Sequence, residues 1–344
     1  MTVTEIAKKA GVSIGTVDRV LHNRGRVSEE TRAKVQKIIE ESRYQANPLA
    51  RHLKKNLKYR IGVLIPELAK ESTYWKLIYD GIAAAAATLS AFSFELELFE
   101  FVRPVRSSFL SAFERMTSSD CSAWIIAPVM QDETLVLLMD VENPVPYAFI
   151  DCPLPGACPL TTVAQDPFQG GVLAGRLMDL VSHSGGPFAV IRPYNEAFNL
   201  NERARGFASW FAGRPGVIVR DVVCQENEPR QMLSVLESLL QELPDLRGVF
   251  IVSSMVHTIT DYLCSRGFRS GNPQTDVRII GYDLVPPNRM LLSTGKIDCL
   301  ISQRPEEQGR LVMQQLYRCL VLEDETRSDI AIPMDIFFRE NLQG

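Results

Sequence analysis

Histidine is scarce in this 344-residue chain: the four residues stand far apart, so no metal-binding cluster is legible. The seven cysteines (Cys121, Cys152, Cys158, Cys224, Cys264, Cys299 and Cys319) are odd in number, scattered singly, and form no CxxC. That usage speaks against a disulfide framework and fits reduced thiols in a cytosol. No run approaches the roughly 18 consecutive apolar residues of a membrane span, and no basic segment followed by an apolar one opens the chain. Phosphate loops are lacking as well. Gly170-Gly171-Val172-Leu173-Ala174-Gly175 does not have the GxGxxG spacing, and the Gly11 to Thr16 stretch has no lysine. With no nucleophile–base pair in view, these absences argue against an enzyme, a cofactor, a metal and a membrane partner.

What is present is 46% hydrophobic content, enough for two or three domains with a sizeable core. Charge is distributed unevenly. Residues 1–60 hold fourteen Lys and Arg against six acids, whereas the whole chain is −4, so a head of +8 sits on a body of −12. Such a head is drawn to a polyanion. Neutralised phosphates release counterions whatever the base sequence, which predicts a nucleic-acid-binding head.

Within that head Ile6, Ala7 and Ala10 fall at helical spacing, Gly11 interrupts, and Val17, Val20 and Leu21 resume the period. Ser13 is a sound N-cap for the second helix, and Thr4 with Ala7 supplies half a capping box for the first. Two short helices about a glycine turn make the helix-turn-helix pattern, whose second helix turns its first residues to base edges. Those residues are Ile14, Gly15 and Thr16, with Arg19 one turn on. An ordinary helical hairpin would share the spacing; the charge favours the DNA reading. Ser28 opens a third helix running to about Ser42, with Val35, Ile38 and Ile39 as its apolar face. Asn47 and Pro48 then start a helix too short to persist alone. Leu53 is its candidate minor-groove wedge, supported by Leu49, unless the segment is a plain linker.

From Arg60 onward apolar runs over 61–66, 94–99, 123–128, 147–150, 161–165, 188–192, 217–223, 248–252 and 277–283 alternate with helical stretches. The helices are expected over 73–91, 106–118, 132–141, 168–183, 202–213, 230–242, 256–266 and 286–294. Such alternation predicts parallel sheets covered on both faces, and its length predicts two of them. Ligands of open α/β sheets sit beyond the carboxyl ends of the strands, so two facing sheets make a cleft. The expected fold is an all-α helix-turn-helix head plus an α/β core of two doubly wound parallel-sheet subdomains with a ligand cleft between them.

The stretch TEIAKKAGVSIGTVDRVLHNRGRVSEETRAKV resembles, almost end to end, the head of the lactose-repressor (LacI) family of bacterial transcription regulators, and NPLARHL resembles its hinge. NERARGF (201–207), IIGYD (279–283) and QRPEEQG (303–309) resemble, more loosely, a core similar to periplasmic sugar-binding proteins. The resemblance implies a head over 1–46 and a hinge helix and linker over 47–59. It implies a core N-subdomain over 60–164 and 295–325, and a C-subdomain over 165–294 and 326–344. DNA contacts are implied from Thr4, Ser13, Ile14, Gly15, Thr16, Arg19, His22, Asn23, Arg26, Asn47, Ala50, Arg51 and Leu53, made by a homodimer on a pseudo-palindromic operator. An effector site for a small sugar or sugar derivative is implied at Tyr74, Trp75, Asp166, Arg203, Ser253, Asp283 and Gln303. Tyr74 and Trp75 could stack on a sugar ring or fill the core, and Asp166 could hold the ligand or cap a helix. The planar fork of Arg203 suits vicinal hydroxyls, with Arg205 as the competing choice.

Three departures stand out. Asp18 replaces the family's usual Ser, His22 its usual Asn, and Ser253-Ser254 a common Asn-Asp. Ile14 and Gly15 offer no side-chain hydrogen bond, so base reading would lean on Thr16, Arg19 and apolar contact with thymine methyls. The expected function is a sequence-specific DNA-binding repressor tuned by its effector, in the bacterial cytoplasm at the nucleoid. Two rivals remain: a solute-binding protein without a regulatory role, and an α/β sugar-modifying enzyme.

Overall fold

The computed structural model describes residues 1–21, 25, 27–42, 57–70, 73–89, 92–103, 105–142, 144–182, 185–193, 197–225, 228–272, 275–324 and 328–342. The chain divides into two compact units, Met1–Lys55 and Asn56–Gly344. His22, Asn23, Arg26 and the hinge segment with Asn47, Ala50, Arg51 and Leu53 lie outside the described residues.

The first unit contains α1 (Val3–Ala10), α2 (Ile14–Leu21) and α3 (Glu29–Glu41). Its N-cap is Thr2, not Thr4. Glu5 stands three residues after Thr2 and closes a full capping box, accepting from the Thr2 amide at 2.7 Å, whereas Ala7 can do nothing for Thr4. Gly11 ends α1 in the left-handed region at φ 71°, the conformation that favours glycine. Ser13 accepts from the Thr16 amide at 3.1 Å and Ser28 from that of Thr31 at 3.3 Å, so both expected caps form. Ile6, Ala7 and Ala10 of α1, Val17 and Val20 of α2, and Val35 and Ile38 of α3 make one small core.

The second unit holds two six-stranded sheets. The first is built from β1 (Tyr59–Pro66), β2 (Phe94–Phe101), β3 (Ala123–Ile126), β4 (Tyr147–Ile150), β5 (Thr162–Ala164) and β11 (Ile330–Ala331), in the order β11-β5-β4-β3-β1-β2 and parallel throughout. The second contains β6 (Pro187–Arg192), β7 (Ile218–Val223), β8 (Gly248–Ile251), β9 (Arg278–Tyr282), β10 (Cys299–Ser302) and β12 (Asp335–Phe337), in the order β12-β10-β9-β8-β6-β7. Only its edge strand β12 is antiparallel, paired with β10. Alternate residues of these strands feed two different cores: Ala189 and Ile191 one, Phe188 and Val190 the other. That is why the strands read as unbroken apolar runs.

Three segments carry the chain between the sheets: after β5, after β10, and between β11 and β12. This corrects the expected boundaries at 294/295 and 325/326. β10 pairs with β9 and so belongs to the second subdomain, and β11 pairs with β5 and so belongs to the first. Strand pairing sets these boundaries, and runs of two to four residues do not announce their partners in sequence.

The crossovers feed two helix pairs that pack with unusual closeness. In the second subdomain α7 (Pro167–Ser182) lies on α8 (Phe198–Phe211); a Cβ on Gly171 would meet the Arg203 carbonyl, and one on Gly206 that of Phe168. In the first, α12 (Pro305–Leu322) lies on α4 (Tyr74–Thr88), where Gly309 faces the Ile78 carbonyl and Gly81 that of Glu306. Both arrangements follow the same sequence device, Gln165-Asp166-Pro167 with Gly171 and Gln303-Arg304-Pro305 with Gly309.

Candidate functional site

Two aspartates anchor the site, each directly after an inner strand. Asp151 follows β4 and Asp283 follows β9, and both lie in the left-handed region, at φ 70° and 66°. Non-glycine residues held there cost about 1–3 kcal/mol each and persist where surrounding bonds fix them. The bonds are present. Tyr74, at the start of α4, donates its hydroxyl to Asp151 Oδ1 at 2.7 Å, and Asn199, at the start of α8, donates to Oδ2 at 2.9 Å. Asp151 is thus held by one group from each subdomain. Burial, with Asp151 alongside, pushes the Tyr74 phenol well above its usual value, so it stays a neutral donor.

Asp283 accepts from the Gln303 amide at 3.1 Å and from its Nε2 at 2.8 Å. Burial pushes its carboxyl up to about 6, against the opposing pull of Arg203 and of the bonds from Gln303. Arg203 donates to the Val252 carbonyl at 2.8 Å and to Gln303 Oε1, and its guanidinium lies 3.9 Å from the Tyr282 ring centre. Its Nε is buried and has no hydrogen-bond partner among the described residues. Gln308 completes the circuit, accepting from the Asp151 amide at 3.1 Å and donating to the Gln303 carbonyl at 3.0 Å. The crossover residue Gln303 therefore joins both aspartates through short polar steps.

Of the effector residues expected from sequence, Tyr74, Trp75, Arg203, Ser253, Asp283 and Gln303 come together around one cavity of about 30 Å³. Trp75 is 1% exposed and meets Tyr74 edge-on, so it serves as packing as well as wall. Arg205 is on the surface, paired with Glu202, and does not compete with Arg203. Asp166 does not join the site. It is exposed and accepts from the Gln169 amide at 3.0 Å, which is helix capping, and it faces a different cavity. Asp151, Asn199 and Gln308 were not foreseen. An apolar strand ending in Asp marks Asp151 as it marks Asp283, and that parallel was the available signal.

In the head, α2 leaves Ser13, Ile14, Gly15 and Arg19 exposed, Ile14 at 50%, while Val17 and Val20 are buried beneath. Thr16 is half-buried, and its hydroxyl lies 3.0 Å from that of Ser13. An alanine Cβ at Gly15 would meet only Ser13 Oγ, at 3.7 Å, so nothing inside the head calls for a glycine there. Thr4 is exposed on α1.

Two parallel sheets, three crossovers and a buried polar site at the strands' carboxyl ends define a periplasmic binding protein domain, whose family model matches residues 61–324. The model of the bacterial regulatory proteins of the lacI family matches residues 2–47. With both in one chain, the protein belongs to the LacI family of bacterial regulatory proteins. It is 25% identical over 288 residues, 83% of this chain and 81% of the relative, to the HTH-type transcriptional repressor PurR of Erwinia tasmaniensis. It is 37% identical over 82 residues to catabolite control protein A of Streptococcus mutans, a match spanning 24% of either chain. The fold of GanP, a glucose-galactose binding protein of Geobacillus stearothermophilus, superposes with a TM-score of 0.72 at 19% identity, covering 83% of this chain and 99% of that one.

Proposed function

We propose that this protein is a transcriptional repressor that binds pseudo-palindromic operator DNA as a homodimer and changes its affinity when a small sugar or sugar derivative enters the cleft. In this reading it works in the bacterial cytoplasm, and it neither catalyses a reaction nor needs a cofactor. The observation that carries the proposal is Asp151, held by Tyr74 from one subdomain and by Asn199 from the other. A ligand that takes over those bonds acts on both subdomains at once. The free space of about 30 Å³ has room for a few waters but not for a sugar ring, so a sugar must part the subdomains or displace their mutual bonds. Binding and separation are then one equilibrium, and any bias it places on the DNA-bound state is reciprocal. Two carboxylates, an amide and an arginine Nε without a partner, beside Tyr74 and Trp75, suit a polyhydroxylated ring. The exposed Ile14 and Arg19 on α2 support the DNA half of the reading, together with the basic head.

The test uses the full chain. DNA is first selected from a random pool, and affinity for the selected site is then measured with and without a panel of monosaccharides. At least one sugar should shift it. Arg203→Ala should keep operator binding and abolish the shift, because losing one partner of a buried charged hydrogen bond costs roughly 2–5 kcal/mol of binding. Selected DNA whose affinity no sugar moves, or an unaltered response in Arg203→Ala, overturns the effector assignment. A chain that selects no DNA sequence but binds sugar returns the solute-binding reading.

A further inference from the structure

A second cavity, of about 460 Å³, lies on the other side of the first turn of α8 from the site described above. Asn199 and Leu200 line the small cavity; Phe198 and Glu202 line the large one. Its walls come from both subdomains: β5 and β11 of the first, and the starts of α7 and α8 of the second. At that volume it accommodates a drug-sized molecule.

Its lining is mostly acidic. Among the described residues it includes three carboxylates (Asp166, Glu202 and Asp329), two phenylalanines (Phe168 and Phe198), and no lysine or arginine, while Arg205 stands beside it, 4.9 Å from the centre of the Phe168 ring and paired with Glu202. Carboxylates alone would not define a site, because helix capping explains part of them. Asp166 Oδ1 caps α7, Asp329 Oδ1 accepts from the Thr162 amide at 2.8 Å, and Glu202 is paired with Arg205. The independent observation is Gln165, also in the lining and 5% exposed. Its Nε2 donates to the Ser302 carbonyl at 2.8 Å and the Pro333 carbonyl at 2.9 Å, which uses both amide hydrogens and fixes the orientation of the group. Gln165 Oε1 is then a buried acceptor without a donor among the described residues. Native proteins seldom leave such a group unmatched. An acceptor short of a donor, two carboxylates whose Oδ2 atoms take no hydrogen bond among the described residues, and the Phe198 ring beside a Phe168 ring that already carries the Arg205 guanidinium all suit a cation with an apolar body.

We propose that this cavity binds a small organic ammonium ion with an apolar body, its N–H groups directed to Gln165, Asp166 and Asp329 and its body against Phe168 and Phe198. The site is separate from the sugar cleft and takes a ligand of different chemistry. Because its walls belong to both subdomains, an occupant would act on their separation from beside the crossovers, as a second input to the same equilibrium.

The probe is 2-phenylethylammonium, titrated calorimetrically into the full chain, with 2-phenylethanol as neutral analogue and 3-phenylpropionate as anion. The ammonium should bind saturably, the alcohol roughly tenfold or more weakly, since charge-assisted hydrogen bonds are worth about twice neutral ones, and the carboxylate not at all. Asp166→Asn, which preserves the cap because Asn caps as well as Asp, should weaken the ammonium roughly tenfold. Asp166→Asn combined with Asp329→Asn should weaken it further; if that pair does not fold, the single variant decides. Equal affinity for the alcohol, no saturable binding of the ammonium, or binding unmoved by Asp166→Asn overturns the proposal. Arg203→Ala, which disables the sugar cleft, should leave ammonium binding in place, so failure of one site is distinguishable from failure of the other.

Discussion

Gly15 and Asp283 are both residues whose stability effects run against intuition. Gly15 sits in the first turn of α2 with open space around it, and glycine in a helix costs roughly 0.5–1 kcal/mol relative to alanine. Gly15→Ala should therefore raise the stability of the head by up to about 1 kcal/mol in thermal unfolding. If the glycine is there so that backbone can approach DNA, the same variant should bind its selected site more weakly in gel shift at fixed salt. Asp283 works through pH. Its carboxyl titrates at about 6 in the folded chain against an ordinary 3.8. Between those values the folded chain keeps a proton that the unfolded chain has released, so the stability this group contributes is full below 3.8 and is lost as pH rises through about 6. Urea unfolding of the wild type and of Asp283→Asn at pH 5 and pH 7.5 should show the wild type gaining about 1 kcal/mol on the variant at the lower pH. A constant difference would mean that Asp283 is ionised at both.

Among the elements, the glycines of the helix pairs behave in the opposite way to Gly15. Gly309 and Gly81 bring α12 and α4 to backbone contact, and Gly309→Ala would drive a Cβ into the Ile78 carbonyl. The gain in helix propensity cannot offset that collision. The variant should lose roughly 1–3 kcal/mol, as overpacked cores do, read as a lower urea midpoint. Most elements were legible in the sequence because their period is local: β1 and β8 as apolar runs, α1 and α2 as spaced apolar residues about Gly11. Among the elements missed, β10, β11 and β12 are strands of four, two and three residues that pairing defines, and α12 over Pro305–Leu322 was not among the expected helices. The site divided in the same way. Arg203, Asp283 and Gln303 stood in quotable motifs, whereas Asp151 depends on a left-handed turn that no glycine marks, and Asn199 on a helix that begins four residues before the expected start at 202. For Asp166 the sequence left a cap and a ligand group open, because the two look identical in one dimension; its carboxylate caps α7.

At the scale of the whole molecule, the division at Lys55 and Asn56 makes one expectation direct. A chain lacking residues 1–58 should remain folded, bind the effector in calorimetry with unchanged affinity, and fail to retard operator DNA; retardation by the truncated chain would relocate the DNA-binding surface. The core itself cannot be divided so simply. The first sheet is completed at its edge by Ile330–Ala331, and the second by Asp335–Phe337, although most of each is laid down long before. A chain emerging from the ribosome therefore carries both sheets with an unpaired border until residues 330–337 are made, and the two lobes finish within a few residues of each other. A stop codon or nick just before Ile330 would leave both lobes with an open edge instead of sparing one, and open strand edges are where chains aggregate.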